Sequence, residues 1–326
     1  MTHGLRLHVA GWDLHAFPAD QFAGAGAIVH DLGRSRLLQL ERFRRLYGVV
    51  RGVRPERTIA WGMPAIRLTG AVPGRLLGPW MAAHAFPVNG SFGGRLLDRS
   101  LLRRASRVLV STQAERQHGI SLGLSETRLE MLPPGIEDGP GRENETWPDR
   151  PAGRYVLCIG PLERAKGIQD AIWTLEILKY VYEDLNLIIV GTGPDRERLE
   201  AFTRAVRTGS SVRFLGSQAE LGPLMSGAVA LWIPSHVDRG VQPALEAMRA
   251  GLPVVASRKP RLTEIILDGE TGLLAPAGDK IAFAKMTRKL LDDTQFAGRL
   301  GQAGRKRVRE HFSAEPTIAK LLEMLN

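Results

Sequence analysis

The amino-acid sequence predicts an α/β protein with two domains, each built around a parallel sheet. Short apolar runs rich in strand-forming residues alternate with helical segments along the chain, a pattern typical of parallel α/β sheets. A chain of 326 residues is long enough for two domains of ordinary size. Residues 133–153 are rich in Pro, Gly and charge, a composition typical of an interdomain linker. We therefore expect one domain in residues 1–150 and a second in residues 151–326.

The first half is predicted to contain strands and two clear helices. Residues 35–53 carry apolar side chains near helical spacing, with Arg between them, which indicates an amphipathic helix. A second helix over residues 112–122 is expected to begin at Ser111 or Thr112, with Glu115 at capping-box distance. The predicted strands are Leu5–Ala10, Ala27–Asp31, Thr58–Trp61, Trp80–Ala83, Arg107–Ser111 and Arg128–Leu132.

The second half repeats this alternation from Tyr155 onward. Its predicted strands are 155–160, 186–190, 212–215, 229–233 and one that begins at Val254. Its predicted helices are 167–182, 195–207, 219–226, one that Pro243 opens and Gly251 ends, 280–292, 295–312 and 316–325.

Composition indicates a soluble globular protein, with 44% hydrophobic and 24% charged residues. The single cysteine, Cys158, lies in an apolar run, so we expect a buried thiol and no disulfide within the chain. No apolar run approaches the roughly 18 residues that span a bilayer, and the first residues lack the apolar core of a signal peptide. We therefore expect a cytoplasmic protein, with peripheral attachment to the inner face of the membrane as a further possibility.

One region carries the excess positive charge. The whole chain has a formal charge of +10, whereas residues 34–107 contain 15 Arg and three acidic residues, a net charge of +12. Three interpretations stay open: docking on an anionic lipid or membrane surface, attraction of an acidic acceptor such as a lipid-linked phosphate, or a solvated surface in an Arg-rich protein. No nucleic-acid-binding module is recognisable, so we expect no nucleic-acid partner.

The most informative segment is residues 229–257, which is predicted as strand, loop, helix and strand. Pro243 opens the helix, because proline is tolerated in the first helical turn, and Gly251 ends it. Such a loop is a natural anion site, because free backbone amides and the positive end of the helix dipole point the same way. Asp238 and Glu246 place one carboxylate on each side of the helix start.

The segment D-R-G-V-Q-P-A-L-E-A-M-R-A-G-L-P-V-V-A-S resembles the nucleotide-sugar motif of family 4 glycosyltransferases, a large retaining family with the GT-B fold. The match is close over residues 243–257, whereas Asp238 stands where Glu is usual, and Arg239 and Val241 stand where Gly is usual. The resemblance implies two Rossmann-like domains that face each other across a cleft, with an N-terminal domain that is short or degenerate. It also implies a nucleotide diphosphate sugar as co-substrate and no other cofactor.

The resemblance gives the two carboxylates separate roles. Glu246 is expected to bind the ribose diol of the donor, since an ionised carboxylate only accepts hydrogen bonds and a diol offers two donors. Asp238 is expected to face the donor sugar or the leaving phosphate, and an ordinary loop position is an equally open interpretation. The first helical turn is expected to line the diphosphate with backbone N–H groups, except at proline. Its residues are Val241, Gln242, Pro243, Ala244 and Leu245.

Residues 158–167, C-I-G-P-L-E-R-A-K-G, resemble the family pattern G-R-L-x-x-x-K-G. Gly160 and Lys166 match, and Lys166 is expected to contact the donor diphosphate. The family Arg falls on Pro161. Losing one charge-assisted hydrogen bond, worth about 1.5–3 kcal/mol, would slow transfer roughly tenfold to a hundredfold, unless Arg164 takes that place. A solvated surface charge is the other interpretation of Arg164.

Gly191 and Gly193 lie in L-I-I-V-G-T-G-P, directly after a predicted strand. A lone G-x-G is weak evidence for a dinucleotide site, and a third glycine is missing, so we expect no NAD. The resemblance places this turn beside the donor. A tight strand-to-helix turn is the alternative.

Two further site residues come from the resemblance. Glu264 follows the loop 258–262, which carries glycines beside the donor in the family and has none here. Lys259 and Arg261 of that loop are further candidates to replace the missing Arg. His84 follows a predicted strand and corresponds to a cleft-facing His that hydrogen-bonds the donor. A packed or exposed histidine is the alternative.

The leading hypothesis is a retaining glycosyltransferase that moves a sugar from a nucleotide diphosphate sugar to an acceptor hydroxyl, with His84, Lys166 and Asp238 as candidate catalytic residues. No His, Cys and Asp cluster has the ligand spacing of a metal site, so we expect no metal. The alternative is a degenerate, non-catalytic relative that binds a nucleotide, a sugar or a partner protein. The motif departures favour it, as does the poor match of residues 11–13 to the family's first glycine-rich loop. The sequence does not identify the donor, the acceptor or the oligomeric state.

Overall fold

A computed structural model describes most of the chain. Two compact units are defined by contacts: the first comprises Met1–Ser111 and Glu115–Leu132, and the second comprises Thr112–Ala114 and Pro133–Met324. The chain thus enters the second unit at the first residue of the segment in which the sequence predicts a linker. The described residues are 6–11, 19–33, 39–85, 92–137, 147–238 and 240–325.

All described strands of the first unit pair in parallel. Strands β1 and β2 form a two-stranded sheet, and β3 to β6 form a four-stranded sheet in chain order. Parallel pairing needs a crossover between successive strands, and the helical segments supply it. The strands are β1 (His8–Gly11), β2 (Ile28–Asp31), β3 (Thr58–Trp61), β4 (Trp80–Ala83), β5 (Arg107–Val110) and β6 (Leu129–Met131).

Helices α2 to α6 contribute to the core on the four-stranded sheet, whereas α1 contacts β2. On α2, Phe43, Leu46 and Tyr47 pack against a buried cluster that includes Val50 and Val108. The apolar side of this helix is therefore used by the core. The helices are α1 (Ala19–Gly24), α2 (Gln39–Val53), α3 (Met63–Ala71), α4 (Gly74–Leu77), α5 (Phe92–Arg104) and α6 (Gln113–Ser121).

Helices α3 and α5 approach each other closely. A Cβ atom on Gly70 would lie 2.6 Å from Leu101 Cδ2, so a larger residue there would displace the end of the Leu101 side chain. Asp98 of α5 is 1% exposed and accepts hydrogen bonds of 2.7 Å from both Nε and Nη2 of Arg67 on α3. A buried carboxylate is stable there because a bidentate guanidinium pairs with it.

The second unit is a doubly wound domain on a six-stranded parallel sheet, with strand order β12-β11-β10-β7-β8-β9. Strands β7 to β9 run outward in one direction, and β10 to β12 run in the other, so the order reverses between β7 and β10. The strands are β7 (Tyr155–Ile159), β8 (Asn186–Val190), β9 (Val212–Gly216), β10 (Leu231–Ile233), β11 (Val254–Ser257) and β12 (Leu273–Ala275).

Helices cover both faces of this sheet. Alternate residues of β7 enter different cores: Val156 and Cys158 join one buried cluster, and Tyr155 and Leu157 join the other. This alternation follows from the two-residue period of a strand. The helices are α7 (Ile168–Leu178), α8 (Arg196–Ala205), α9 (Gly222–Ser226), α10 (Val241–Arg249), α11 (Pro260–Ile265), α12 (Lys280–Asp292), α13 (Thr294–His311) and α14 (Ala314–Leu325).

Two predicted elements need correction. Helix α10 begins at Val241 rather than at Pro243, because Gly240 is in the left-handed region (φ 110°) and caps it. Proline is still tolerated at the third position, where the N–H would have no intrahelical partner. Residues 258–262 are only partly a loop, since α11 begins at Pro260. None of the helices described is long and apolar enough to cross a membrane.

Candidate active site

Several candidate residues of the second unit follow β7 or β10, the two strands between which the strand order reverses. Loops that follow β7 and β10 leave the sheet at its carboxyl edge, on adjacent strands. Ligands of open parallel sheets bind at such a switch point, because the two crossovers diverge and leave a crevice between them. The loop after β7 carries Lys166, and the loop after β10 carries Asp238 and leads into α10.

The N-terminus of α10 is oriented by a single glycine. Gly240 accepts the first helical hydrogen bond, from the Ala244 N–H at 3.2 Å. The N–H groups of Val241 and Gln242 come before Ala244, the first helical donor, so helix geometry gives them no acceptor within α10. These amides and the helix dipole favour an anion at this end of the nine-residue helix.

Glu246 lies in the second turn of α10 and is partly exposed, with a side-chain exposure of 29%. Its Oε1 accepts a hydrogen bond of 3.1 Å from Gln242 Nε2, and its Oε2 lies 3.8 Å from Arg249 Nη2. A carboxylate has about four acceptor positions. Glu246 therefore keeps the capacity to accept two further hydrogen bonds.

Asp238 binds the start of helix α11. Its Oδ1 accepts a hydrogen bond of 2.9 Å from the Arg261 N–H, and Arg261 Nη1 lies 3.5 Å from the Asp238 carbonyl oxygen. Burial raises the pKa of Asp238, Glu264 raises it further, and the bond from Arg261 opposes this change. Arg261, a candidate to replace the missing family Arg, is itself only 7% exposed.

Lys166 ends a 3-10 turn formed by Arg164–Lys166. Burial raises the pKa of the Cys158 thiol to about 12, and the nearby charge of Lys166 acts in the opposite direction. Cys158 is therefore a protonated core thiol at neutral pH, as predicted, and not a nucleophile. Arg164 is 81% exposed, and its Nε lies 3.9 Å from Asp195 Oδ1.

The turn after β8 packs directly on the loop after β7. A Cβ atom would lie 2.0 Å from the Gly160 carbonyl oxygen if placed on Gly191, and 2.4 Å from the Leu162 carbonyl oxygen if placed on Gly193. The two glycines are required by this backbone contact. A Cβ on Gly160 would meet nothing within 4 Å.

Glu264 has both carboxylate oxygens engaged by backbone amides. Oε2 accepts a hydrogen bond of 2.7 Å from the Gln113 N–H, and Oε1 accepts one of 2.8 Å from the Ala114 N–H. Residues 112–114 group with the second unit. Arg307 binds the backbone carbonyls of residues 264 and 265. The predicted contact of Glu264 with a donor stays a prediction.

His84 lies in the first unit, directly after β4. It is exposed and adopts φ 52°, a conformation that is uncommon for residues other than glycine. Its ring centroid lies 5.0 Å from that of Trp61, which ends the neighbouring strand β3. Backbone strain of this kind clusters at functional sites, and the role of His84 stays a prediction.

Comparison with known proteins decides the family. Residues 143–307 match the family model described as glycosyl transferases group 1. The chain is also 30% identical to a glycogen synthase of Mycobacterium tuberculosis, over 96% of this chain and 78% of the relative. The chain belongs to the group 1 glycosyl transferases. A second relative, a GDP-mannose-dependent alpha-(1-6)-phosphatidylinositol monomannoside mannosyltransferase of Mycolicibacterium smegmatis, is 30% identical over 61% of this chain and 56% of its own length.

Solved structures confirm the GT-B fold of this group 1 glycosyl transferase. A sucrose-phosphate synthase from Thermosynechococcus elongatus has a TM-score of 0.80, with 19% identity over 98% of both chains. The Anabaena HepE protein, determined in complex with UDP and glucose, has a TM-score of 0.82, with 17% identity over 94% of this chain and 88% of that one. The predicted glycosyltransferase class is confirmed, and the assignment to the numbered family 4 stays a prediction.

The sequence missed several residues that shape this glycosyltransferase's site. The sequence gives no sign that Gly167 packs against the loop after β10, where a Cβ would lie 1.9 Å from the Pro234 carbonyl oxygen. His236 Nε2 lies 2.8 Å from Asp170 Oδ2, a contact between the loop after β10 and the first turn of α7 that no sequence signal indicates. Within the part of the chain described, no group of three or more His, Cys, Asp or Glu is placed to hold a metal. Metal-free catalysis stays a prediction.

Proposed function

We propose that this glycosyltransferase transfers a hexosyl group from a nucleoside diphosphate sugar to an acceptor hydroxyl, with retention of the anomeric configuration. The bond from the anomeric carbon to the diphosphate breaks, a bond to the acceptor oxygen forms, and a proton is released. The observation that carries this proposal is the arrangement at the switch point. Lys166 follows β7, and the α10 amides with Glu246 follow β10, on adjacent strands at one sheet edge.

The proposed roles follow from charge. Negative charge develops on the leaving diphosphate, so preorganised donors at that position lower the barrier. Lys166 supplies a cation, and the N–H groups of Val241 and Gln242 supply donors with the helix dipole behind them. Glu246 accepts hydrogen bonds from the ribose diol. Asp238, fixed by α11, is proposed to face the donor sugar.

Two proteins in the comparisons differ in donor, which leaves the base open. One solved neighbour is a complex with UDP-glucose, whereas one relative is named as GDP-mannose-dependent. We therefore test UDP, GDP, ADP and their sugars together by calorimetric titration. The wild-type protein is expected to bind one nucleoside diphosphate and its sugar derivative, and to transfer or slowly hydrolyse that sugar.

Glu246→Ala is the deciding variant. It removes a charged acceptor from the ribose and is expected to weaken binding by about 1.5–3 kcal/mol, a factor of roughly 10–150. Glu270→Ala, which removes an exposed carboxylate from a surface turn, is the matched control and should bind like wild type. Wild-type protein that is folded but binds none of the nucleotides would overturn the proposal and favour a non-catalytic relative.

A second proposal concerns the basic region. The exposed side of α2 carries Arg44, Arg45 and Arg51, and Arg45 pairs with Glu41 at 2.9 Å. Because the apolar side of α2 packs in the core, any attraction to lipid rests on charge. We propose that this face binds an anionic membrane surface, at up to about 1 kcal/mol per basic residue close to the lipid.

Vesicle sedimentation tests the membrane proposal. Vesicles with phosphatidylserine are expected to pull down the protein, whereas neutral vesicles are not, and binding should fall at high salt because charges are screened. Arg44→Glu with Arg51→Glu should abolish binding. The control Arg288→Glu changes an exposed Arg on α12, outside the basic region. Equal recovery with both vesicle types would refute membrane docking.

A further inference from the structure

The loop that carries Asp238 is attached to the turn that carries Lys166. The His236 N–H donates a hydrogen bond of 2.9 Å to the Ala165 carbonyl oxygen. Ser235 Oγ lies 3.4 Å from the same oxygen and donates at 2.8 Å to the Val237 carbonyl oxygen. These bonds tie the backbones of the two loops together at the switch point.

Glycine makes this close approach possible. Gly167 adopts φ 68°, and a Cβ there would lie 1.9 Å from the Pro234 carbonyl oxygen. Only glycine has both the required dihedral angle and the required space. The loop after β10 therefore packs closely against the turn after β7 at this glycine.

A cluster of side chains around Asp170 also contacts this loop. His236 Nε2 lies 2.8 Å from Asp170 Oδ2, and Lys280 Nζ lies 3.4 Å from Asp170 Oδ1. Asp170 belongs to the first turn of α7, where the helix dipole favours a carboxylate. Lys280 begins α12. One carboxylate thus connects the donor loop to two helices of the domain.

We propose that His236 is a positioning residue for sugar transfer, which acts through Asp170 to hold Asp238 against the donor sugar. This inference rests on the proposed function. His236 is two residues from Asp238, and its Nε2 lies 2.8 Å from Asp170 Oδ2. When the imidazole is removed, the loop loses its side-chain contact with Asp170, while the contacts of Glu246 and of the α10 amides are unchanged. The sugar end of the donor is affected, and the nucleotide end is not.

The test separates these two ends of the donor. We compare wild type with His236→Ala, Asp170→Asn and the double variant, and measure kcat and KM for the nucleotide sugar and the Kd of the free nucleoside diphosphate. The single variants are expected to lose about tenfold to a hundredfold in kcat/KM, the cost of a misplaced site group. The Kd of the free nucleotide should stay within about twofold of wild type, which also shows that the variants are folded.

Two further variants make the result specific. If His236 acts through Asp170, the double variant should lose no more than the worse single variant, because residues in one pair are not additive. His236→Asn keeps a side-chain donor and should recover part of the loss. His311→Ala, which removes an exposed histidine at the end of α13, should be unchanged.

Other outcomes overturn the inference. Unchanged kcat/KM in His236→Ala, or additive losses in the double variant, would show that the pair does not position the loop. Equal loss of free-nucleotide affinity would assign His236 to nucleotide binding or to domain stability. Wild-type protein without turnover would instead refute the proposed function, and the positioning role with it. The wild-type measurement therefore distinguishes the two failures.

Discussion

Gly193→Ala is expected to destabilise the second unit, because the added methyl group would meet the loop after β7. A Cβ at position 193 would lie 2.4 Å from the Leu162 carbonyl oxygen and 2.6 Å from the Leu162 nitrogen, whereas real Cβ contacts below 3.0 Å essentially never occur. Leu162 is fully buried. Its N–H donates to the Thr192 carbonyl at 2.9 Å, and its carbonyl accepts from the Asp195 N–H at 3.0 Å. The two loops cannot separate without weakening both bonds.

The magnitude follows from these contacts. Overpacking a close contact costs about 1–3 kcal/mol, and each weakened hydrogen bond adds about 0.5–1.5 kcal/mol at most. We expect a total loss of about 2–4 kcal/mol. For a unit of this size, about 2–4 °C of Tm is lost per kcal/mol, so the expected decrease is about 4–16 °C.

Differential scanning calorimetry measures the change directly. Gly298→Ala is the matched control, since it lies inside α13 and a Cβ there would meet nothing within 4 Å. That control should be neutral or stabilised by up to about 1 kcal/mol, the helix propensity difference between the two residues. A Gly193→Ala protein that melts within about 1 °C of wild type would refute the reasoning, because the loops would then have room for a methyl group.

Three acidic residues give further predictions. Arg154 lowers the pKa of Asp184 to about 2, so this pair stabilises the folded state above pH ~4 and its contribution is lost as pH falls toward 2. Asp184→Asn should therefore remove this loss of stability when urea midpoints are measured between pH ~4 and pH ~2. The change should be about 1 kcal/mol or less, because the pair is exposed. Asp98→Asn removes the buried partner of Arg67 and should cost more, about 1.5–3 kcal/mol, in the same urea assay at pH 7. Burial raises the pKa of Asp238, so its contribution has the opposite sign: stability falls as pH rises above ~4, and Asp238→Asn should gain on wild type over that range. If the urea midpoint of Asp238→Asn differs from that of wild type by the same amount at pH 4 and at pH 7, this prediction is wrong.

Most strands were predictable because their signal is local, whereas β12 (Leu273–Ala275) was not predicted. Runs such as residues 155–159 and 186–190 are apolar, rich in strand formers and followed by glycine turns, and the structure places strands there. Helices α3 and α5 were missed because their sequences contain glycines that disfavour helices. At Gly70, α3 packs closely against the Leu101 side chain of α5. Tertiary contact outweighs local preference at that position.

The site was predictable in position but not in its contacts. The motif over residues 243–257 identifies α10 and Glu246, because helix start, helix end and strand follow one another in the chain. The partners of Asp238, Glu264 and His236 lie between 23 and 151 residues away. No spacing rule reaches across such distances. The sequence therefore predicts which carboxylates belong to the site, but not which groups contact them.

Two departures from the family motif prove to be connected in space. The sequence presents Asp238 in place of Glu and the glycine-free loop 258–262 as separate signs of degeneration. In the structure, that loop is short because α11 starts at Pro260, and the Asp238 carboxylate accepts a hydrogen bond from the Arg261 N–H in the first turn of α11. Proline supplies no N–H at the first position, so Arg261 presents the first available donor. The Asp238 side chain and the helix start at position 260 are therefore linked by one hydrogen bond, and the two departures from the motif belong to one local structure.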